Sequence, residues 1–408
     1  MNVSRWVLLC GVLYHEIVTV TGLGLGSFTF PLIVYNIILH AYVASMPINI
    51  IIQSSYIFRV LHQTLLAIMS KISMTMNAMF ATLMMFLLCY PSVAILINRL
   101  KLPSPLTGPE SIAFDRNGGG PYVGVSDGRI LKYAGPNQGF QEYAYTSPNR
   151  NKTICDGLAD FSTLQASCGR PLGLRFNHQT GELYAADAYF GILKIGPNGG
   201  PPTQCIQYTL PPPPPPPFKF LDGLDVDVNT GVVYFTEASA NYQIKDFPEL
   251  VRRRDSSGSL FSFDPSTNQT KALMRGLAFP SGVAVSRDGS FVLVSEFLTN
   301  RIHRFWLRGP KANSSEIFSQ LTGSPDNIRR NPNGQFWVAM NSFIGPPPPP
   351  RPTTVPSGLR INENGIVLQI VSLAQEFGSD QVSEVHEFNG TLYCGSLRAS
   401  YVTISTIF

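Results

Sequence analysis

Hydrophobic and polar positions divide the chain into an apolar front without helical periodicity and a long tract of short runs alternating with period two, the mark of half-buried strands. In that tract the alternation restarts behind a glycine six times: GPYVGVSDG from Gly120, GELYAADAY from Gly181, GVVYFTEAS from Gly231, GSFVLVSEF from Gly289, GQFWVAMNS from Gly334 and GTLYCGSLR from Gly390. The spacings are 61, 50, 58, 45 and 56 residues. A second run precedes each glycine: ESIAFD from Glu110, LGLRFN from Leu172, DGLDVD from Asp222, SGVAVS from Ser281, DNIRRN from Asp326 and SEVHEF from Ser383. Each pair predicts strand, turn, strand. DGRILKY at Asp127, FGILKI at Phe190, GSLFSFDP at Gly258 and NRIHRFWL at Asn300 supply outer strands. Four strands in each of six quasi-equal units predict an all-β fold, a six-bladed β-propeller over 104–408; a two-sheet sandwich would not require six such units. The proline runs Pro211–Pro217 and Pro346–Pro350 cannot donate ladder hydrogen bonds and are expected to be surface loops in polyproline conformation.

Charge sharpens the reading of the front. No Asp, Glu, Lys or Arg occurs from Ile17 to Phe58 or from Ile72 to Asn98. Both stretches are long enough to span a bilayer. Residues 74–103 read as a signal peptide or a signal anchor. Residues 1–73 are an apolar extension, read either as membrane segments or, preferably, as translation from a misplaced start. Contact with a membrane is expected only through this region. The composition, 44% hydrophobic and 14% charged with 35 Gly and 33 Pro, excludes a disordered chain. A net charge of +4, scattered apart from Arg252–Arg254, shows no nucleic-acid footprint. A secretory route predicts glycans at the sequons of Asn151, Asn268, Asn313 and Asn389. It also predicts oxidised cysteines. Cys155 and Cys168 bracket a short polar loop and are the expected disulfide, against the alternative of two free thiols; closing that loop stabilises by about 3 kcal/mol.

In a propeller the inner strand of each blade lines the axis, so the first residues of the six preceding runs converge. They are Glu110, Leu172, Asp222, Ser281, Asp326 and Ser383. Three carboxylates in one ring repel unless a positive charge lies between them. Glu110, Asp222, Ser281 and Asp326, with Asn327 and water, form an oxygen-rich set suited to a hard divalent cation, Ca²⁺ by preference. The alternative is that these acids cap strand starts in Asx turns. Glu237 and Glu296 read as channel or loop residues. His178, His303 and His386 lack zinc spacing and are expected to be satisfied structural histidines. The chain contains no GxSxG elbow, phosphate loop or dinucleotide fingerprint.

CGRPLGLRF, GLDVDVNTGVVYFTEAS, GSLFSFDPSTNQTKAL, PSGVAVSRDGSFVLVSEFLTNRIHRFWLRGPK, NIRRNPNGQFWVAM and NGTLYCGSL together resemble the strictosidine synthase family over about residues 106–408. The resemblance implies a six-bladed propeller of the secretory pathway, in the vacuole or the endoplasmic reticulum lumen. It also implies a disulfide at Cys155 and Cys168, and a small-molecule pocket at one mouth of the channel. The family's synthase condenses tryptamine with secologanin in a Pictet-Spengler reaction and uses one glutamate as acid and base. Ser383 holds that position here, and an alcohol is neither an effective base nor a counter-charge for an iminium. Glu384 follows, on the opposite face by strand alternation. The same axial positions resemble those of calcium-dependent lactonases and esterases of the gluconolactonase and paraoxonase type. That resemblance implies metal-assisted hydrolysis with Asp326 or a nearby carboxylate activating water. The three expected classes are therefore a hydrolase of this type, a condensing enzyme and a non-catalytic binding propeller.

Overall fold

The computed structural model describes residues 98–202, 204–206, 218–344 and 353–406. The apolar segments 1–73 and most of 74–103 lie outside these residues, as do both proline runs. No described helix is long and apolar enough to cross a membrane.

The chain enters through β1 (Asn98–Lys101) and then lays down six antiparallel sheets of four strands. Blade one is β2 (Ile112–Ala113), β3 (Tyr122–Gly124), β4 (Arg129–Tyr133) and β5 (Phe140–Tyr145). Blade two is β6 (Pro171–Phe176), β7 (Leu183–Asp187), β8 (Gly191–Ile195) and β9 (Gln204–Ile206). Blade three is β10 (Phe220–Val226), β11 (Val233–Ser239), β12 (Gly258–Asp264) and β13 (Gln269–Leu277). Blade four is β14 (Pro280–Val285), β15 (Phe291–Glu296), β16 (Arg301–Trp306) and β17 (Ser315–Gln320). Blade five is β18 (Ser324–Arg330), β19 (Phe336–Ile344), β20 (Thr353–Ile361) and β21 (Val367–Ser372). Blade six takes β22 (Glu384–Phe388), β23 (Thr391–Gly395) and β24 (Tyr401–Thr406) from the end of the chain, and β1 pairs with β24 as its outer strand. The propeller therefore includes Asn98–Lys101, ahead of the expected boundary at 104. A closed ring leaves its last blade one strand short until the front of the chain completes it, and NRLK carries no repeat glycine to mark it.

All six repeat glycines fall at the turn into the second strand with φ between 71° and 128°, which accounts for the residue type at that marker. A second glycine column acts by size. A Cβ on Gly173, Gly223 or Gly282 would lie no more than 2.6 Å from the backbone of the next blade's inner strand, so these strands meet at the axis only without side chains. The hydrophobic cores lie between neighbouring blades. One joins Ala186 and Ile192 of blade two to Leu224 and Phe235 of blade three, and another joins Trp337 and Ala339 of blade five to Val385 and Leu392 of blade six.

Cys155 and Cys168 form the expected disulfide, with Cα atoms 5.4 Å apart, between two short helices, α1 (Lys152–Cys155) and α2 (Gln165–Cys168). Cys394 is buried and free. A longer helix, α3 (Phe247–Arg253), fills the connection from β11 to β12 and contributes Leu250 to a seventh apolar cluster with Leu172, Phe220, Phe279 and Phe297.

Candidate functional site

That seventh cluster is the wall of a pocket at the end of the channel where the inner strands begin. Glu110, Asp222 and Asp326 lie on its floor beside Leu172 and Ser383; Phe161, Phe220, Phe247, Phe279 and Phe297 enclose it. Its empty space is about 540 Å³ including the open mouth. Five of the six residues predicted to converge thus line one pocket. The sixth, Ser281, is fully buried. Phe161 comes from the disulfide loop, and the exposed Arg398 guanidinium stands 5.3 Å over its ring at the rim.

The floor carries negative charge that the chain does not neutralise. Glu110 is buried; its Oε1 accepts from Asn327 Nδ2 at 2.9 Å, and its Oε2 has no partner. Ser281 Oγ is likewise buried without a partner. Among the described residues no donor reaches the carboxylates of Asp222 or Asp326. Burial, and then the charges of Asp222 and Asp326, push Glu110 well above the usual carboxylate range. Burial raises Asp222 to about 7, against the pull of Arg170. Burial, with Asp222 and Glu384, also holds Asp326 well above its ordinary value. Arg170 is the nearest cation in this balance, but it is committed: its Nε donates to Asp160 Oδ1 at 2.6 Å.

The orphaned oxygen of Glu110 and the two unpaired carboxylates are all-oxygen donors, the chemistry that suits a hard divalent cation. Among the described residues, no group of three or more His, Cys, Asp or Glu side chains is by itself placed to hold a metal ion. The hydroxyl of Ser281, the amide of Asn327 and water are needed to complete the set.

Ser383, on the pocket floor, donates through its Oγ to the Glu110 carbonyl at 3.0 Å. The remaining candidates fall outside the pocket. Glu296 is held by Arg301 and His303, and Glu237 accepts from Lys219 N at 3.2 Å. The three histidines are satisfied as expected: His178 on Phe114 O, His303 on Glu296 and His386 on Ile112 O.

Below the acids the axis is filled by a network that the sequence reading missed. Arg329 of β18 donates to Glu384 Oε1 at 2.5 Å, Ser111 Oγ at 2.8 Å, and the carbonyls of Leu174 and Leu224 at 3.2 Å each. One side chain from blade five thereby ties together blades six, one, two and three. This is where Glu384 goes, away from the pocket. Arg175 pairs with Asp225 alongside, at 2.8 Å. The signal was present in the same alignment, whose fourth column reads Ala113, Arg175, Asp225, Ala284, Arg329, His386.

Fold and site together define a six-bladed propeller with an aromatic-walled pocket over an acidic floor. The strictosidine synthase family model matches residues 222–310, and the strictosidine synthase-like N-terminal model matches residues 97–133. The Arabidopsis thaliana protein strictosidine synthase-like 12 is 44% identical over 310 residues, covering 75% of this chain and 89% of its own. Strictosidine synthase of Catharanthus roseus is 35% identical over 313 residues, covering 76% and 86%. The chain belongs to the strictosidine synthase-like family. Among solved structures, a gluconolactonase from Xanthomonas campestris superposes with a TM-score of 0.50 at 15% identity, covering 77% of this chain and 90% of its own, a likeness of fold.

Proposed function

We propose that this protein is a metal-assisted hydrolase of small esters or lactones, with Ca²⁺ held by Glu110, Asp222 and Asp326 and assisted by Ser281 and Asn327. The observation that carries the reading is the set of unpaired carboxylate oxygens on the floor of a phenylalanine-walled pocket. When bound, the cation supplies Lewis acidity toward a carbonyl and its attacking water. The phenylalanine walls hold the apolar part of the substrate and exclude bulk water. Asn327 orients Glu110 through its 2.9 Å bond. Asp326, half-buried at the floor, takes the proton of the attacking water. The disulfide supports an oxidising compartment, which we take to be the secretory pathway, in the vacuole or the endoplasmic reticulum lumen.

The condensing reaction is disfavoured by one residue, since Ser383 donates to a backbone carbonyl and offers no charge to an amine or iminium. The test measures Ca²⁺ affinity by calorimetry, together with hydrolysis of a p-nitrophenyl ester and a γ-lactone, for wild type and Asp326→Ala. Both signals are expected to fall in the variant and in chelator. Hydrolysis unchanged by chelator, or tryptamine–secologanin condensation by the wild type, would overturn the proposal.

A further inference from the structure

At the mouth opposite the pocket the inner strands end, and the charge there is reversed. Arg175 lies near the end of β6, Asp225 near the end of β10, and Arg330 closes β18. Arg175 Nε is 2.8 Å from Asp225 Oδ1. The Val285 peptide links the other two: its N–H donates to Asp225 Oδ2 at 2.9 Å, and its carbonyl accepts from Arg330 Nε at 2.9 Å. Two guanidiniums are thus fixed on either side of one carboxylate and one peptide, by contacts that use only their Nε atoms. Among the described residues, no Nη of Arg175 or Arg330 makes a hydrogen bond.

The nearby acids are already engaged. Glu384 pairs with Arg329, and Asp225 holds Arg175 and the N–H groups of Val226 and Val285. Glu387 accepts from Asn331 and Trp337, and Asp115 from Tyr122, Asn117 and Gly119. Arg330 therefore has no carboxylate partner. Three guanidiniums (Arg175, Arg329 and Arg330) stand against two axial carboxylates. Burial, against the pull of Asp225 and with the charges of Arg329 and Arg330, holds Arg175 below its ordinary value. His386 is neutral at physiological pH, its pKa lowered to about 3 by burial and by Arg329 and Arg175, so it adds no charge of its own. The Arg175 side chain is 15% exposed and Arg330 is half-buried, so both are reachable from solvent.

We propose that this mouth binds a small inorganic oxyanion between the free guanidinium forks of Arg175 and Arg330. Planar forks with paired N–H groups match the O–X–O edge of a tetrahedral oxyanion better than a spherical halide, and partial burial strengthens the interaction. The site is independent of the acidic pocket, from which the Arg329–Glu384 network separates it.

The test is calorimetric titration of the full chain with inorganic phosphate, against chloride at matched ionic strength. Saturable phosphate binding is expected in wild type. Arg330→Gln, which loses one backbone hydrogen bond, is expected to weaken it at least tenfold, and Arg330→Lys, which keeps the charge without the fork, at least threefold. Arg308→Gln, at an exposed arginine of blade four beside Lys311, is expected to leave it unchanged. Wild-type binding no better than with chloride, or equal affinity in wild type and both Arg330 variants, overturns the proposal. So does a loss that follows Arg308. The lysine variant and wild-type selectivity decide the matter if the glutamine variant does not fold.

Discussion

Asp222→Asn isolates the physical tension in the pocket, because it removes a negative charge while nearly preserving shape. A carboxyl whose pKa rises from 3.8 to about 7 on folding is easier to ionise in the unfolded chain. Its penalty is therefore absent below about pH 4, grows as pH rises, and is complete above about pH 7. At about 1.36 kcal/mol per pH unit, ionised Asp222 costs the metal-free fold about 4 kcal/mol at pH 8. That is an upper figure, because neighbouring acids can share a proton. In chelator at pH 8, Asp222→Asn is expected to raise the melting temperature by as much as about 8 °C, taking roughly 2 °C per kcal/mol for a domain of this size. The gain should vanish by pH 4. Adding Ca²⁺ should reverse the order, since wild type binds the cation more tightly and gains more from it. Differential scanning fluorimetry over a pH series with and without Ca²⁺ provides the measurement. A variant less stable than wild type at pH 8 in chelator, or a gain that persists at pH 4, would refute the charge-repulsion argument.

Three further outcomes test other parts of the molecule. Arg329→Met strands the fully buried Glu384 and is expected to cost about 3–5 kcal/mol in urea unfolding, with much of the loss recovered in the Arg329→Met/Glu384→Leu double variant. Cys155→Ser with Cys168→Ser should lower stability by about 3 kcal/mol and loosen Phe161 at the pocket, read as weaker ligand binding alongside the shifted denaturation midpoint. Asn268, Asn313 and Asn389 sit exposed with φ of 55°, 62° and 49° at hairpin tips on the face away from the pocket. If the chain passes through the secretory pathway, Asn→Gln changes there should each increase mobility on a gel by one glycan and leave hydrolysis unaltered.

Much of the architecture was legible because a propeller writes its period into the chain. The six glycines occupy positive-φ turns, and the alternating runs around them are the first and second strands. The acids of the pocket were legible for the same reason, since symmetry-related strand starts must converge. Ser383 reaches the same pocket, its hydroxyl donating to the Glu110 carbonyl. The closing strand was hidden because Asn98–Lys101 is paired by ring closure with residues some three hundred positions away, and no local signal specifies such a contact. The Arg329 network was hidden differently. Arg329 stands in one alignment column with Arg175 and Asp225, and its partners Glu384 and Ser111 in another, yet an arginine in a strand reads as exposed until packing buries it and aims it at four blades.

The sequence by itself therefore determined the repeat, the strand alternation, the cysteine pair and which residue types reach the axis, because backbone sterics and period-two patterning act locally. Tertiary structure alone decided that Glu110 and Ser281 keep unpaired oxygens, that five phenylalanines from blades three and four and the disulfide loop meet as one wall, and that acids gather at one mouth while guanidiniums in excess of their carboxylate partners gather at the other. Those properties depend on distances across the axis, where desolvation and the absence of a partner set the energy, and neither can be read from neighbours along the chain.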